Sequence, residues 1–163
     1  MKCSVLVFLF WIVIMTGCSS NTSPLGNTVA GVIAKESNLN TLENALNTAD
    51  LTDLFADPSG EYTLFAPTNE AFAAFGALPE GDALARVLYY HALSEKVTST
   101  DLRSRASGTL ETIEGSTITL KVEGDKIFLN DTVELITLDL EANNGVVHII
   151  NKVLTIPQSS ATQ

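Results

Sequence analysis

Hydrophobic residues recur at two different spacings along this chain, and the change of spacing divides it into two parts. From Thr28 to about Leu93 they recur every three or four residues, which is typical of helices with one buried face. The helices predicted in this part are Thr28–Lys35, a segment that begins at Asn40 as N-cap with Glu43 three residues later, a short helix from Asp50 to Phe55, Asn69–Phe75 capped by Thr68, and Asp82–Leu93.

Farther along the chain, apolar and polar residues alternate, which predicts strands. In Thr117–Glu123 every second residue is apolar, and Gly124-Asp125 supplies a turn into the next strand. The strands predicted over the whole chain are Tyr62–Ala66, Thr117–Glu123, Lys126–Asn130, Val133–Leu140 and Val146–Ile156. Because most helices precede most strands and no internal repeat is visible, we expect a single α+β domain with N-terminal helices packed on a sheet.

The first eighteen residues have another pattern, an unbroken apolar run over Val5–Met15 behind the basic Lys2. Such a run is too short to span a bilayer, which takes roughly 20 residues, but it suits the apolar core of an export signal. Thr16 and Gly17 precede Cys18, and this ending resembles the lipobox of bacterial lipoproteins. The resemblance implies cleavage before Cys18 and a lipid on its sulfur. An ordinary secretory signal with an incidental cysteine is the alternative.

The leader sets the expected organisation of the chain. We expect a lipoprotein signal peptide over residues 1–17, the lipidated Cys18 and a flexible tether over 18–27, one domain over 28–157, and a disordered tail over 158–163. The expected location is outside the cytoplasm, on a bacterial membrane, with the domain periplasmic or at the cell surface. Ser19 and not aspartate follows Cys18, which resembles outer-membrane sorting if the host has a Gram-negative envelope.

Composition excludes several functions. The net charge of −10 repels the phosphates of nucleic acid, and no basic stripe interrupts it. Cys3 leaves with the leader and Cys18 is used by the lipid, so we expect neither a disulfide nor a thiolate metal site. With two histidines and no catalytic or nucleotide-binding motif, the sequence predicts no metal, no cofactor and no enzyme.

Three segments in register carry a resemblance to a known family. Tyr62–Phe72 (YTLFAPTNEAF) resembles the first conserved box of the fasciclin (FAS1) family, Leu88–His91 (LYYH) its Tyr-His motif, and Gly145–Asn151 (GVVHIIN) its closing box. The resemblance implies helices packed on a twisted β-wedge or sandwich, and a role in adhesion without shared catalytic chemistry. The turn after the closing box departs from the family, since Asn151-Lys152 replaces its common Asp-Gly and predicts a different turn type.

Tyr90 and His91 are the candidate partner-binding residues, and two interpretations stay open. The resemblance implies that they belong to an adhesion-associated motif available to a partner. Their helical register instead places His91 on the apolar face, where a buried ring would hydrogen-bond a neighbouring loop. His148 shares a strand face with Val146 and Ile150 and is expected to be a core histidine.

We therefore expect a membrane-anchored FAS1 domain that binds another macromolecule, protein or glycan, at the envelope or cell surface. The alternative is an envelope lipoprotein that binds a small ligand or a polysaccharide, for which an apolar pocket beside Tyr90 would be the evidence. A hydrolase would need a nucleophile hydrogen-bonded to His91 or His148 in an open cleft.

Overall fold

The computed structural model describes residues 26–156, which form six α-helices and seven strands. The helices are α1 (Val29–Lys35), α2 (Asn40–Thr48), α3 (Thr52–Ala56), α4 (Asn69–Phe75), α5 (Asp82–Tyr90) and α6 (Ser99–Ser104), with a 3₁₀ turn at Ser37–Leu39. The strands are β1 (Tyr62–Pro67), β2 (Ala92–Leu93), β3 (Thr109–Glu111), β4 (Thr117–Glu123), β5 (Lys126–Leu129), β6 (Val133–Ala142) and β7 (Gly145–Ile150). No helix within these residues is long and apolar enough to cross a membrane.

All seven strands belong to one mixed sheet in the order β2-β1-β7-β6-β5-β4-β3. Only β1 and β7 run parallel, and their pairing extends from Tyr62 opposite Gly145 to Pro67 opposite Ile150. The sheet curls until its two edges meet, where the Ile113 N–H donates to the Ala92 carbonyl at 2.8 Å. The result is a nearly closed barrel with α1 to α5 packed on one flank, which confirms the predicted α+β class.

Two apolar clusters follow from the alternation of side chains along the central strands. Leu64 and Ala66 of β1, with Val147 and Ile149 of β7, pack against the helices. Phe65, between the first two, belongs to the second cluster, which fills the barrel. Each face of the central strands is therefore buried, in agreement with the nearly continuous apolar sequences of β1 and β7.

Asn144, in the turn between β6 and β7, joins the helices to the sheet. Its buried side-chain oxygen accepts from the Val29 N–H at 2.7 Å, and its amide donates to the carbonyls of Phe55 at 2.9 Å and Asp57 at 2.8 Å. The next residue has to be glycine, because a Cβ on Gly145 would lie 1.9 Å from the Tyr62 carbonyl oxygen.

Several predicted boundaries were wrong for physical reasons. The helix predicted over Asp82–Leu93 ends at Tyr90, since Ala92 and Leu93 pair with β1 as a strand. Asn40 is inside α2 and does not cap it; the Thr41 N–H instead donates to the side chain of Asn69, at 3.0 Å. The last strand ends at Ile150, before the predicted Ile156.

Three short elements of the structure, one helix and two strands, were not predicted from the sequence. Helix α6 interrupts a region in which only period-two structure was predicted, and it begins with a capping box between Thr98 and Asp101. The two-residue strand β2 and the three-residue strand β3 were missed as well. The predicted cap of α4 was right, because the Thr68 hydroxyl accepts from the Ala71 N–H at 3.1 Å.

Candidate functional site

His91 lies directly after α5 and is 1% exposed. Its Nε2 atom accepts from the Leu154 N–H at 2.8 Å, so the hydrogen must be on Nδ1, which donates to the Val87 carbonyl at 2.7 Å. The ring therefore joins the end of α5 to the segment that follows β7. Both nitrogens are engaged by backbone atoms, and neither is available to a substrate or a metal ion.

Burial sets the charge of this ring. It disfavours the imidazolium and lowers the pKa of His91 from 6.5 to about 4, although the bond to Val87 works in the opposite direction. His91 is accordingly neutral at pH 7. Protonation of Nε2 would remove the acceptor that the Leu154 N–H uses.

Tyr90 is completely buried and points into the barrel cluster. Its hydroxyl donates to the Thr117 carbonyl at 3.3 Å and accepts from the Asn130 amide at 3.0 Å. The Asn130 oxygen in turn accepts from the backbone N–H and the hydroxyl of Thr119. Asn130, which has a φ of 49°, thus fixes the Tyr90 ring to the turn between β5 and β6.

His148 forms the same kind of internal link on the other side of the barrel. It is fully buried, its Nδ1 accepts from the Asp139 N–H at 3.2 Å, and its Nε2 lies 2.9 Å from the Val97 carbonyl. Burial again lowers the pKa, and the ring stacks on Phe65 with 5.9 Å between centroids. Asp139 occupies a bulge with a φ of 55°, and its carboxylate accepts from the backbone and hydroxyl of Ser99 in α6.

Of the two interpretations of the candidate partner-binding residues Tyr90 and His91, these positions favour the core over direct contact with a partner. Both side chains are covered, and their polar atoms are used inside the fold. The core interpretation of His91 and His148 fits the structure. Within residues 26–156, the hydrogen-bond partners of both rings are backbone atoms and not nucleophilic side chains. Cys18, the predicted lipidation site, lies outside the described residues.

Within residues 26–156, no three histidine, cysteine or acidic side chains come together as a metal site. The polar atoms of the buried side chains in this range all have hydrogen-bond partners. The polar groups of the described domain that could bind another molecule therefore lie on its surface.

An apolar groove lies where helix α4 meets the segment after β7. We call it the α4 groove; it is lined by Ala71, Ala74, Phe75, Lys152 and Val153 and has a volume of about 260 Å³. Phe75 is 38% exposed, and with Ile136 it is one of two large apolar side chains that are exposed within the described residues. A second groove, near the barrel edges, is lined by Ser94, Glu95, Glu111, Thr112, Ile113 and Gly115. Tyr90 lines neither of them, so these grooves do not supply the ligand pocket that the alternative function required.

Sequence reasoning missed the α4 groove because it treated Phe75 as one more apolar residue of a helix. The available signal was the position of Phe75 directly before Gly76, whose φ of 93° ends the helix there. Lys152 gave a second signal, as a charged residue in a segment otherwise predicted to be a buried strand. The predicted change of turn type fits, since Lys152 is not among the residues with positive φ.

Comparison with known proteins agrees with the fold. The model of the fasciclin domain matches residues 37–157. The protein sll1483 of Synechocystis is 36% identical over 138 residues, covering 80% of this chain and 74% of that protein. Human periostin is 35% identical over 142 residues, which are 83% of this chain but only 16% of periostin.

Two further similar proteins are a cell surface protein and a cell adhesion molecule. The cell surface glycolipoprotein MPB83 of Mycobacterium bovis is 28% identical over 151 residues, covering 87% of this chain and 66% of that protein. A FAS1 domain pair from the insect cell adhesion molecule fasciclin I has the same fold, with a TM-score of 0.65 and 19% identity over 80% of this chain and 51% of that one. With a family model and a 36% identical relative that both cover most of its length, this chain belongs to the fasciclin domain family.

Proposed function

We propose that this chain is a membrane-anchored binding module that mediates adhesion or another macromolecular interaction at the cell envelope or surface, without covalent chemistry. The observation that carries the proposal is the match to the fasciclin domain over residues 37–157, together with a relative that is named a cell surface glycolipoprotein. Both histidines are neutral joints between backbone segments, so the groups available to other molecules are those on the surface.

The proposed anchor is a lipid on Cys18, in the segment whose ending resembles a lipobox. Support comes from a relative that is named a cell surface glycolipoprotein. The tether over residues 18–27 would extend to at most about 35 Å, which keeps the domain close to the membrane.

Two measurements on intact cells test this function. Cys18→Ser should abolish incorporation of a labelled fatty acid and move the protein from the membrane to the soluble fraction; retention in the membrane would contradict the anchor. A photoreactive amino acid placed in turn at exposed positions of the full chain should capture protein or glycan from at least one face. Capture from none of the scanned faces would contradict a binding function.

A further inference from the structure

We propose that the α4 groove is the docking surface for a polypeptide partner, which inserts one apolar side chain between Phe75 and Val153 and places a neighbouring carboxylate on Lys152. The inference rests on the proposed binding function and names the surface and the kind of partner. Four properties of the groove support it: fixed walls, small volume, one unpaired cation and few hydrogen-bonding groups.

Both walls of the groove are fixed before any partner arrives. Phe75 is the last residue of α4, whose first turn is capped by Thr68. The opposite wall, Lys152-Val153, lies between two pinned residues. On one side Asn151 exchanges two hydrogen bonds with Glu134, at 3.0 and 3.1 Å, and on the other the Leu154 N–H donates to His91. Preorganised walls lower the entropy cost of binding.

The volume limits what the groove can hold. About 260 Å³ is below the roughly 300–1,000 Å³ of pockets that enclose a whole small ligand. An open groove of this size has room for one or two apolar side chains of a larger molecule. The exposed aromatic ring at its rim is the kind of residue that is enriched where proteins meet.

The positive charge of Lys152 determines which group of the partner should lie beside the inserted apolar side chain. Lys152 forms no hydrogen bond or ion pair within residues 26–156, whereas five other basic residues in that range pair with carboxylates. A carboxylate beside the inserted side chain would form an ion pair with Lys152. Because the molecule is strongly acidic, a run of several carboxylates would be repelled, so we infer a segment with one isolated carboxylate.

The chemistry of the lining favours a polypeptide over a glycan. Two alanines, a phenylalanine and a valine offer no polar side-chain atoms, and Lys152 is the only hydrogen-bond donor among the lining side chains. A sugar would leave most of its hydroxyl groups unpaired in such a groove, at a cost in affinity. An apolar side chain has no such requirement.

This proposal also gives the Tyr-His motif a role in binding. His91 touches no partner, but it holds the Leu154 end of the wall that presents Lys152 and Val153. It is therefore a positioning residue.

The first test is photo-crosslinking in intact cells with the full chain. A photoreactive amino acid at Ala74 should capture protein, and Lys152→Glu should reduce that capture at least about tenfold through like-charge repulsion. Lys96→Glu is the matched control, since Lys96 is also exposed and unpaired within the described residues but lies outside the groove. It should leave the capture unchanged.

The other outcomes separate the two proposals. Protein captured only from a probe at Lys121, on the barrel, would overturn the groove proposal and leave the binding function standing. Glycan or lipid adducts in place of protein at position 74 would also overturn it. Absence of adducts from both positions and every other scanned face would overturn the binding function itself.

The second test concerns the carboxylate and needs no identified partner. A fluorinated phenylalanine at position 75 of the full chain, in lipid nanodiscs, reports binding by ¹⁹F NMR. N-acetyl-leucine, which has a carboxylate, should bind about two- to fivefold more tightly than uncharged N-acetyl-leucinamide, the ratio given by exposed ion pairs. Lys152→Gln should abolish the difference and Lys96→Gln should keep it. Equal affinity of the two compounds, or an unchanged ¹⁹F signal, would overturn the proposal.

Discussion

The two parts of this domain differ in the balance of acidic and basic residues and in the number of ion pairs. Residues 26–81, with α1 to α4 and β1, have eight carboxylates and a single basic residue, Lys35. Residues 82–156, with α5, α6 and the rest of the sheet, have eleven carboxylates and seven basic residues. The ion pairs of the described residues all lie in this C-terminal part.

The two parts are also held together by different groups. The C-terminal part neutralises many of its charges internally, and neutral histidines join its segments. The N-terminal part leaves its carboxylates to solvent and joins the sheet through the uncharged Asn144. The α4 groove lies where the two parts meet, with Phe75 from one and Lys152 from the other.

The largest effect is expected at the joint between the two parts. Asn144→Asp would place a buried carboxylate oxygen against the carbonyls of Phe55 and Asp57, which now accept from the amide. We expect the free energy of unfolding to fall by about 3 kcal/mol or more at pH 7, since two acceptors and a charge would be left unpaired. Urea unfolding measures it, with Asn143→Asp in the exposed neighbour as control. Equal effects of the two substitutions would mean that Asn144 does not join the parts.

Lowering the pH should reduce the free energy of unfolding, because the buried histidines of the C-terminal part are neutral in the folded chain. The unfolded chain protonates His91 near pH 6.5, whereas the folded chain does so only at about 4. The stabilisation is therefore fully present above pH 6.5 and is lost as the pH falls towards 4, at about 1.4 kcal/mol per pH unit and about 3 kcal/mol in all. The lowered pKa of His148 acts in the same direction.

Urea unfolding at several pH values between 7 and 4.5 measures this loss. His91→Gln should make the decline less steep, because one of the two titrating groups is gone. A variant with the same steep decline as the original chain would contradict the assignment to His91.

His91→Ala should lower the free energy of unfolding by about 1–3 kcal/mol at pH 7, because the Leu154 N–H loses its buried acceptor. Thermal unfolding followed by circular dichroism measures it, and Lys96→Ala serves as the exposed control. An unchanged melting temperature together with lost partner binding would favour direct contact of His91 with the partner.

Surface charges should give the smallest effects, of opposite sign in the two parts. Arg105→Ala removes the two-point contact with Glu95 and should cost less than about 1 kcal/mol. Glu43→Gln removes a carboxylate from the acidic part and should be neutral or raise stability by a few tenths of a kcal/mol. Parallel urea titrations compare them, and two losses of equal size would contradict the proposed difference between the parts.

How far the sequence predicts this molecule depends on how local each interaction is. Helix α4 was predicted with its cap and its end, because Thr68 and Gly76 act on neighbouring residues. The cap of α2 was misassigned because the acceptor comes from Asn69, 28 residues from its donor Thr41. No local pattern indicates such a partner.

The candidate site shows the same limit. Helical register correctly placed His91 on the buried face, but the bond to Leu154 joins residues 63 apart, and only the fold brings them together. Three segments in register, Leu88–His91 among them, indicated the family, whereas the exposure of Phe75 depends on where α4 meets the segment after β7. Phe75 and Lys152 stand out in the sequence, but only the fold shows that they line the same groove.

His91 is a neutral, internal joint, and we propose that partners bind the surface instead. The most direct measurement is a pH titration of the histidine ring nitrogens by ¹⁵N NMR on the full chain in nanodiscs. We expect a ring protonated only on Nδ1, with no change until the pH approaches about 4. A His91 ring that titrates near pH 6.5, as an exposed histidine does, would contradict it.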